Sequence, residues 1–168
     1  MKKAHLFFAI ALSCAGLAGP SAYAKSYSIG DSRPVATVTI PDAWEVETIE
    51  DGIEATSADE GVTVTVEAVQ IKDVETATRE GIKYFAESGV KIDPSTQTQK
   101  EMTMSGKPAV DISWKGTDSD GPTNVSLTFV ILSEKDSVLL YLWGDDKSIV
   151  QNAAALQAIS ESIRAVQQ

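Results

Sequence analysis

The sequence predicts an α+β fold, with a central antiparallel sheet of about six or seven strands sandwiched between helices. Three observations predict it. Two neighbouring stretches, 129–132 and 138–143, are apolar at consecutive positions. Successive side chains of a strand point to opposite faces, so such runs must be covered front and back. Two other segments, 72–89 and 145–166, change to a helical period and would each supply one cover. The remaining strands follow one another through short turns, as antiparallel neighbours do.

The elements follow in order. Residues 25–33, "KSYSIGDSR", are polar and read as a flexible lead-in. "VATVTI" is β-branched and stops at Pro41, which has no amide hydrogen for a paired central strand. "GIEATS" is a short strand closed by the turn "SADEG". "VTVTVEAVQI" places Val62, Val64 and Val66 on one face, and the phase breaks near Ala68. Asp73 suits the N-cap of the first helix, and Gly89 its stop. Gly81 lies inside that helix, where glycine costs about 1 kcal/mol relative to alanine. "TQTQKEMTM" leads through "SGKP" into "AVDISWKG", where Val110, Ile112 and Trp114 alternate with Asp111, Ser113 and Lys115. "TDSDGP" is a turn by composition. As an EF-hand it would need an acid at Gly116 and a glutamate at Leu127. After the two apolar strands, Asp145 and Asp146 cap a helix of about 20 residues ending near Val166.

The N-terminus carries an address. Lys2 and Lys3 precede an apolar run from Leu6 to Leu17, and Ala22-Tyr23-Ala24 offers small residues at the cleavage subsites. Residues 1–24 therefore read as a secretory signal peptide cut between Ala24 and Lys25. The expected location is exported, periplasmic or secreted. The run is short and broken by Gly16 and Gly19, so no membrane span is expected. Ala11-Leu12-Ser13-Cys14 gives an alternative, an envelope lipoprotein with a lipid anchor on Cys14. Residues 34–168 then form a single domain, long enough to bury roughly two-thirds of its unfolded surface.

Cys14 and His5 are the only residues of their kinds, and both fall inside the leader. The domain after Ala24 thus lacks the thiol and imidazole that most nucleophilic triads and most structural zinc sites use. No cofactor is expected, and oxygen-held hard cations are the remaining metal chemistry. Without Lys2 and Lys3 the chain has 24 acids against 12 bases, a net charge of −12. Bulk charge of that sign draws in neither nucleic acid nor anionic lipid, and it suits basic proteins or cations better.

"TIPDAWE" resembles the Ile-Pro-x-x-Trp corner after the first strand of PsbP-like and DcrB-like domains. "SGKPA" resembles the turn before a central strand there, and the end of the chain is similar too, with "LLYLWG" before a helix containing "ISESI". The order of elements fits from about residue 34 to 166. The resemblance implies a PsbP-like sheet between helices and mostly non-catalytic roles. PsbP-like proteins assist photosystem assembly or water oxidation, DcrB-like proteins are envelope lipoproteins or chaperones, and nuclear relatives bind a small GTPase. The metal-binding histidines of some PsbP-like proteins have no counterpart after Ala24.

Two features remain as candidate sites. Trp44 either folds over a sheet edge as part of the core or stands free to stack on a ligand. Between Pro34 and Ile71 there is no lysine or arginine. That stretch holds Asp42, Glu45, Glu47, Glu50 and Asp51, then Glu54, Asp59 and Glu60, with Glu67 beyond them. Hairpins would gather these acids at one end or edge, either as a solvated face or as a surface for a basic partner or a weakly held calcium ion. The functional expectation is a non-enzymatic accessory, assembly or chaperone-like protein acting through protein contacts. One alternative is a periplasmic immunity or inhibitor protein that sets this acidic surface against a basic toxin or enzyme. The other is a carboxylate-based hydrolase, with Asp111 as one of its acids.

Overall fold

The computed structural model describes residues 23–166. Strand β1 (Ala24–Ile29) pairs antiparallel with β2 (Ala36–Pro41), and Lys25 faces Ile40 across the ladder. The expected flexible lead-in is therefore corrected: most of it is strand. Its polar side chains face water, while Ile29 is fully buried and Tyr27 packs on the core. Residues 1–22, with Cys14, lie outside the described residues.

Strands β3 (Glu45–Ile49), β4 (Gly52–Thr56) and β5 (Val62–Val69) form a meander. Helix α1 (Val74–Glu87) follows. The Asp73 carboxylate accepts the Thr76 amide at 2.8 Å, as expected of the N-cap. The helix stops at Gly89, whose φ of +82° suits glycine. The Val90 amide then bonds Phe85 O at 2.8 Å, and the Gly89 amide bonds Ala86 O at 3.2 Å. This is a Schellman closure of the last turn.

Strands β6 (Lys91–Met104), β7 (Lys107–Thr117), β8 (Pro122–Ile131) and β9 (Ser137–Gly144) complete the main sheet. Its order is β3-β4-β5-β9-β8-β7-β6, antiparallel throughout. The two apolar strands lie near its middle, and both faces are covered as expected. Val125, Leu127, Phe129, Leu139 and Tyr141 pack with Phe85 of α1. Val130, Val138 and Leu140 pack on the opposite side.

The cover on that opposite side differs from the single long helix expected. Helix α2 (Asp146–Gln151) ends at Asn152, and α3 (Ala153–Ser162) starts anew. The Asn152 side chain donates to Ser148 O at 2.9 Å and to the Asp59 carboxylate at 3.1 Å. Such local bonding competes with the helix. After Ile163 the chain extends, and β10 (Arg164–Ala165) joins β2 to make a three-stranded sheet, order β1-β2-β10. The Ser162 hydroxyl accepts the Thr39 amide at 2.8 Å and ties α3 to β2. The second cover is thus α3 together with this small sheet, with Ile29, Val38, Ile40, Ile159 and Ile163 in one core. Trp44 is only 7% exposed and belongs to that core, which settles its role as structural.

Gly81 explains itself. A Cβ there would lie 2.4 Å from Leu127 Cδ2. The glycine lets α1 press onto the centre of the sheet, and the weaker helix is offset by closer packing.

Candidate functional site

The predicted acids do not form one surface. The β3–β4 register sets Glu47 opposite Glu54, and Glu45 shares their face, toward α1. Glu54 accepts the Tyr84 hydroxyl at 2.9 Å. Glu50 and Asp51 occupy the β3–β4 turn at one end of the sheet. There Asp51 works as a pin. Its backbone carbonyl accepts amides from Gly30 and Ala68, at 3.1 and 2.9 Å. Its carboxylate accepts the Asp31 amide at 3.2 Å. Asp42 is exposed in the turn after β2. Asp59 and Glu60 lie in the turn at the other end, between β4 and β5.

Like charges do act on one another at the β3–β4 turn. Burial pushes the Glu67 carboxyl above its ordinary pKa, and Asp51 and Glu50 add to the shift, against a bond from the Tyr141 hydroxyl. That bond is 2.9 Å long. The Tyr141 and Tyr84 rings lie 4.2 Å apart, so Glu67–Tyr141 and Glu54–Tyr84 are adjacent pairs. Burial raises both phenols, and Tyr84 reaches about 12. The sequence shows these residues, but the pairs join positions 30 and 74 apart and carry no motif.

At the far end, Asp59 and Glu60 meet acids from two distant parts of the chain. They line a cleft of about 570 Å³ with Asp118, Asp120 and Asp145, floored by Trp143 and Gly144. Most of these carboxylates also hold the chain. Asp59 accepts the Ser57 hydroxyl at 2.5 Å, and that bond leads in holding its pKa below the usual carboxylate value. Asp118 accepts the Asp120 and Gly121 amides, at 2.9 and 3.1 Å, which makes "TDSDGP" the turn expected. Asp145 caps α2 through the Lys147 and Ser148 amides, and bonding at Ser148 leads in lowering its pKa. Among the described residues, no group of three or more histidines, cysteines or carboxylates is arranged to hold a metal.

A third feature lies on the sheet face beside α2 and α3. Register aligns Thr98, Ser113 and Ser126 in one row, and Lys100, Asp111 and Thr128 in the next. Asp111 does lie on the face opposite Trp114, as alternation predicts. Its carboxylate accepts hydroxyls from Ser126 at 2.6 Å, Ser113 at 2.8 Å and Thr128 at 2.9 Å. Three donors commit it to the sheet. Only Ser113 was legible beside it in the sequence, because Ser126 and Thr128 arrive from the next strand.

No protein-family model matches the chain, and no curated protein sequence does. Solved structures do match. Cyanobacterial PsbP (CyanoP) from Synechocystis sp. PCC 6803 superposes with a TM-score of 0.58 at 12% identity, covering 92% of this chain and 98% of that one. LpqN of Mycobacterium tuberculosis, described as involved in cell envelope biogenesis, superposes at 0.50 with 15% identity, covering 86% and 92%. Identities this low speak to architecture alone. With seven antiparallel strands between α1 on one side and α3 with the small sheet on the other, the chain has the PsbP-like fold.

Proposed function

We propose that this is an exported, non-enzymatic accessory factor of the assembly or chaperone type, working by docking a protein partner at the acidic end cleft. The observation that carries the reading is the meeting of five carboxylates from three chain segments there. Of these, Asp59, Asp118 and Asp145 are fixed by their own hydrogen bonds. Glu60 and Asp120 are exposed, and they project charge at a partner without holding the fold. Carboxylates placed deeper also serve structure: Asp111 takes three hydroxyls and Glu67 takes Tyr141. This division, with most of these acids bonded into the fold and Glu60 and Asp120 open, supports contact rather than turnover. The likeness to a protein involved in envelope biogenesis fits an exported role. Cleavage between Ala24 and Lys25 would release the domain just where β1 begins.

A second reading has the same cleft in its favour, an inhibitor or immunity protein that covers a basic toxin or enzyme. One experiment separates the two. The exported protein and its Glu60→Lys/Asp120→Lys variant are used as bait in envelope extracts at low and at high salt. Capture that the variant loses and that survives high salt supports the accessory role. Capture of one basic partner, lost at high salt, supports the inhibitor. Equal capture by both baits overturns docking at this cleft.

A further inference from the structure

Beside α3 the main sheet carries a trough that docking at the end cleft does not use. One wall is aliphatic, from Leu140, Leu142, Leu156 and Ile159, with Met102 at the outer lip and Met104 buried behind it. The cavity measures about 320 Å³. It shares Ser126 and Leu142 with a second hollow of about 540 Å³, which runs on to Ile149 and Val150. Apolar side chains reach water along it, with Met102 38% and Val150 75% exposed.

Lys100 stands on the lip. It is the ladder partner of Asp111, yet the two form no ion pair among the described residues. The three hydroxyls hold the Asp111 carboxylate to the sheet, so that, although charged, it makes no direct ion pair with Lys100. The ammonium is left uncommitted at the mouth of an apolar channel. Small-molecule sites combine mostly apolar walls with few charged groups at fixed points, and methionine adapts to ligands of varied shape.

We propose that this trough binds an anionic amphiphile, with a linear alkyl chain along the aliphatic wall and a carboxylate, sulfate or phosphate head at Lys100 Nζ. The alkyl chain gains by leaving water for Leu142, Leu156 and Met102, and the head makes the direct ion pair with Lys100 that Asp111 does not. The head belongs either to a free amphiphile or to a membrane lipid. The chemistry at Lys100 is the same in both.

The test uses the chain as exported, with 13C-labelled methionine methyl groups, titrated with decanoate, decyltrimethylammonium or decyl maltoside below their micelle concentrations. Decanoate is expected to shift the Met102 and Met104 methyl signals saturably. Lys100→Glu, an exposed change whose fold is checked by its melting temperature, should weaken decanoate about tenfold and leave decyl maltoside unaltered. Met102→Glu should weaken decanoate and decyl maltoside. No methyl shift, a cationic probe that binds as well as decanoate, or decanoate binding that ignores Lys100→Glu would each overturn the proposal. Flotation with phosphatidylglycerol vesicles identifies the source. Flotation lost in Lys100→Glu points to a membrane lipid, and decanoate binding without flotation points to a free amphiphile.

Discussion

The Tyr141 hydroxyl lies 2.9 Å from a Glu67 carboxylate oxygen, on the side of the sheet that α1 covers. The bond supports a carboxyl that burial and the neighbouring Asp51 and Glu50 push toward its neutral form. A group whose folded pKa is raised gives stability that is whole below the unfolded value, near 4.3 for glutamate. That stability is lost as pH rises through the folded pKa. Glu67→Gln keeps an acceptor for Tyr141 and removes the charge. Its melting temperature should equal the parent's near pH 4 and exceed it at pH 7. A variant that is less stable at both pH values would contradict this account.

The two phenols give the alkaline counterpart. Tyr84 is raised to about 12, and Tyr141 is raised as well, while an unfolded tyrosine ionises near 10. The unfolded chain therefore releases these protons first, and stability should fall as pH climbs from 10 toward 12. Tyr84→Phe should flatten that decline. At pH 7 it should also cost about 1–3 kcal/mol, because Glu54 loses a donor. Thermal melts across pH 8–12 check both statements.

The contact between Gly81 and Leu127 yields a packing test. A Cβ at position 81 meets the end of the Leu127 side chain at 2.4 Å, a part of the residue that can yield. Gly81→Ala sets about 1 kcal/mol of helix propensity against that contact, so its net effect should be small. Gly81→Leu cannot be absorbed and should cost about 1–3 kcal/mol. Leu127→Ala should restore much of the loss in the double variant, and a denaturant-melt cycle measures the coupling.

What the sequence made legible follows from range. Asp73, Gly89, the "TDSDGP" turn and the doubly apolar strands announce themselves within a few residues, and each is found in place. Features made by distant partners do not. β1 reads as polar because one of its faces meets water, and its pairing with β2 is invisible before folding. The acidic stretch reads as one surface because charge is continuous along the chain. The β3–β4 hairpin instead carries Glu50 to one end and the following turn carries Glu60 to the other. The trough needs five strands and a helix, and only the alternation around Asp111 hinted at it.

The break in the last helix shows the same limit and can be tested. Apolar residues continue at helical spacing across residue 152, so the sequence offers one rod. Asn152 interrupts it by donating to Ser148 O and to Asp59, which lies 93 residues earlier. Asn152→Ala should lose about 1 kcal/mol through the bond to Asp59, and recover part of that as better helix propensity. Its helical circular dichroism should rise while its melting temperature falls. A rise in both would mean that the break is not held by Asp59.

Salt and calcium probe the acidic end together. Asp59, Asp118 and Asp145 already hold hydroxyl or amide donors, so a calcium ion would have to displace bonds that support two turns and a helix cap. Millimolar calcium should therefore leave the melting temperature where an equal ionic strength of sodium chloride puts it. Sodium chloride itself should raise that temperature, because a chain of net charge −10 repels itself and salt screens the repulsion. Glu60→Lys should reproduce part of the salt effect at low ionic strength, since it turns one like charge in the cleft into its opposite without touching a side-chain hydrogen bond of the fold. If calcium stabilised the protein beyond the sodium chloride control, and Glu60→Lys abolished the gain, the cleft would be a cation site and its partner would have to be sought among metal ions.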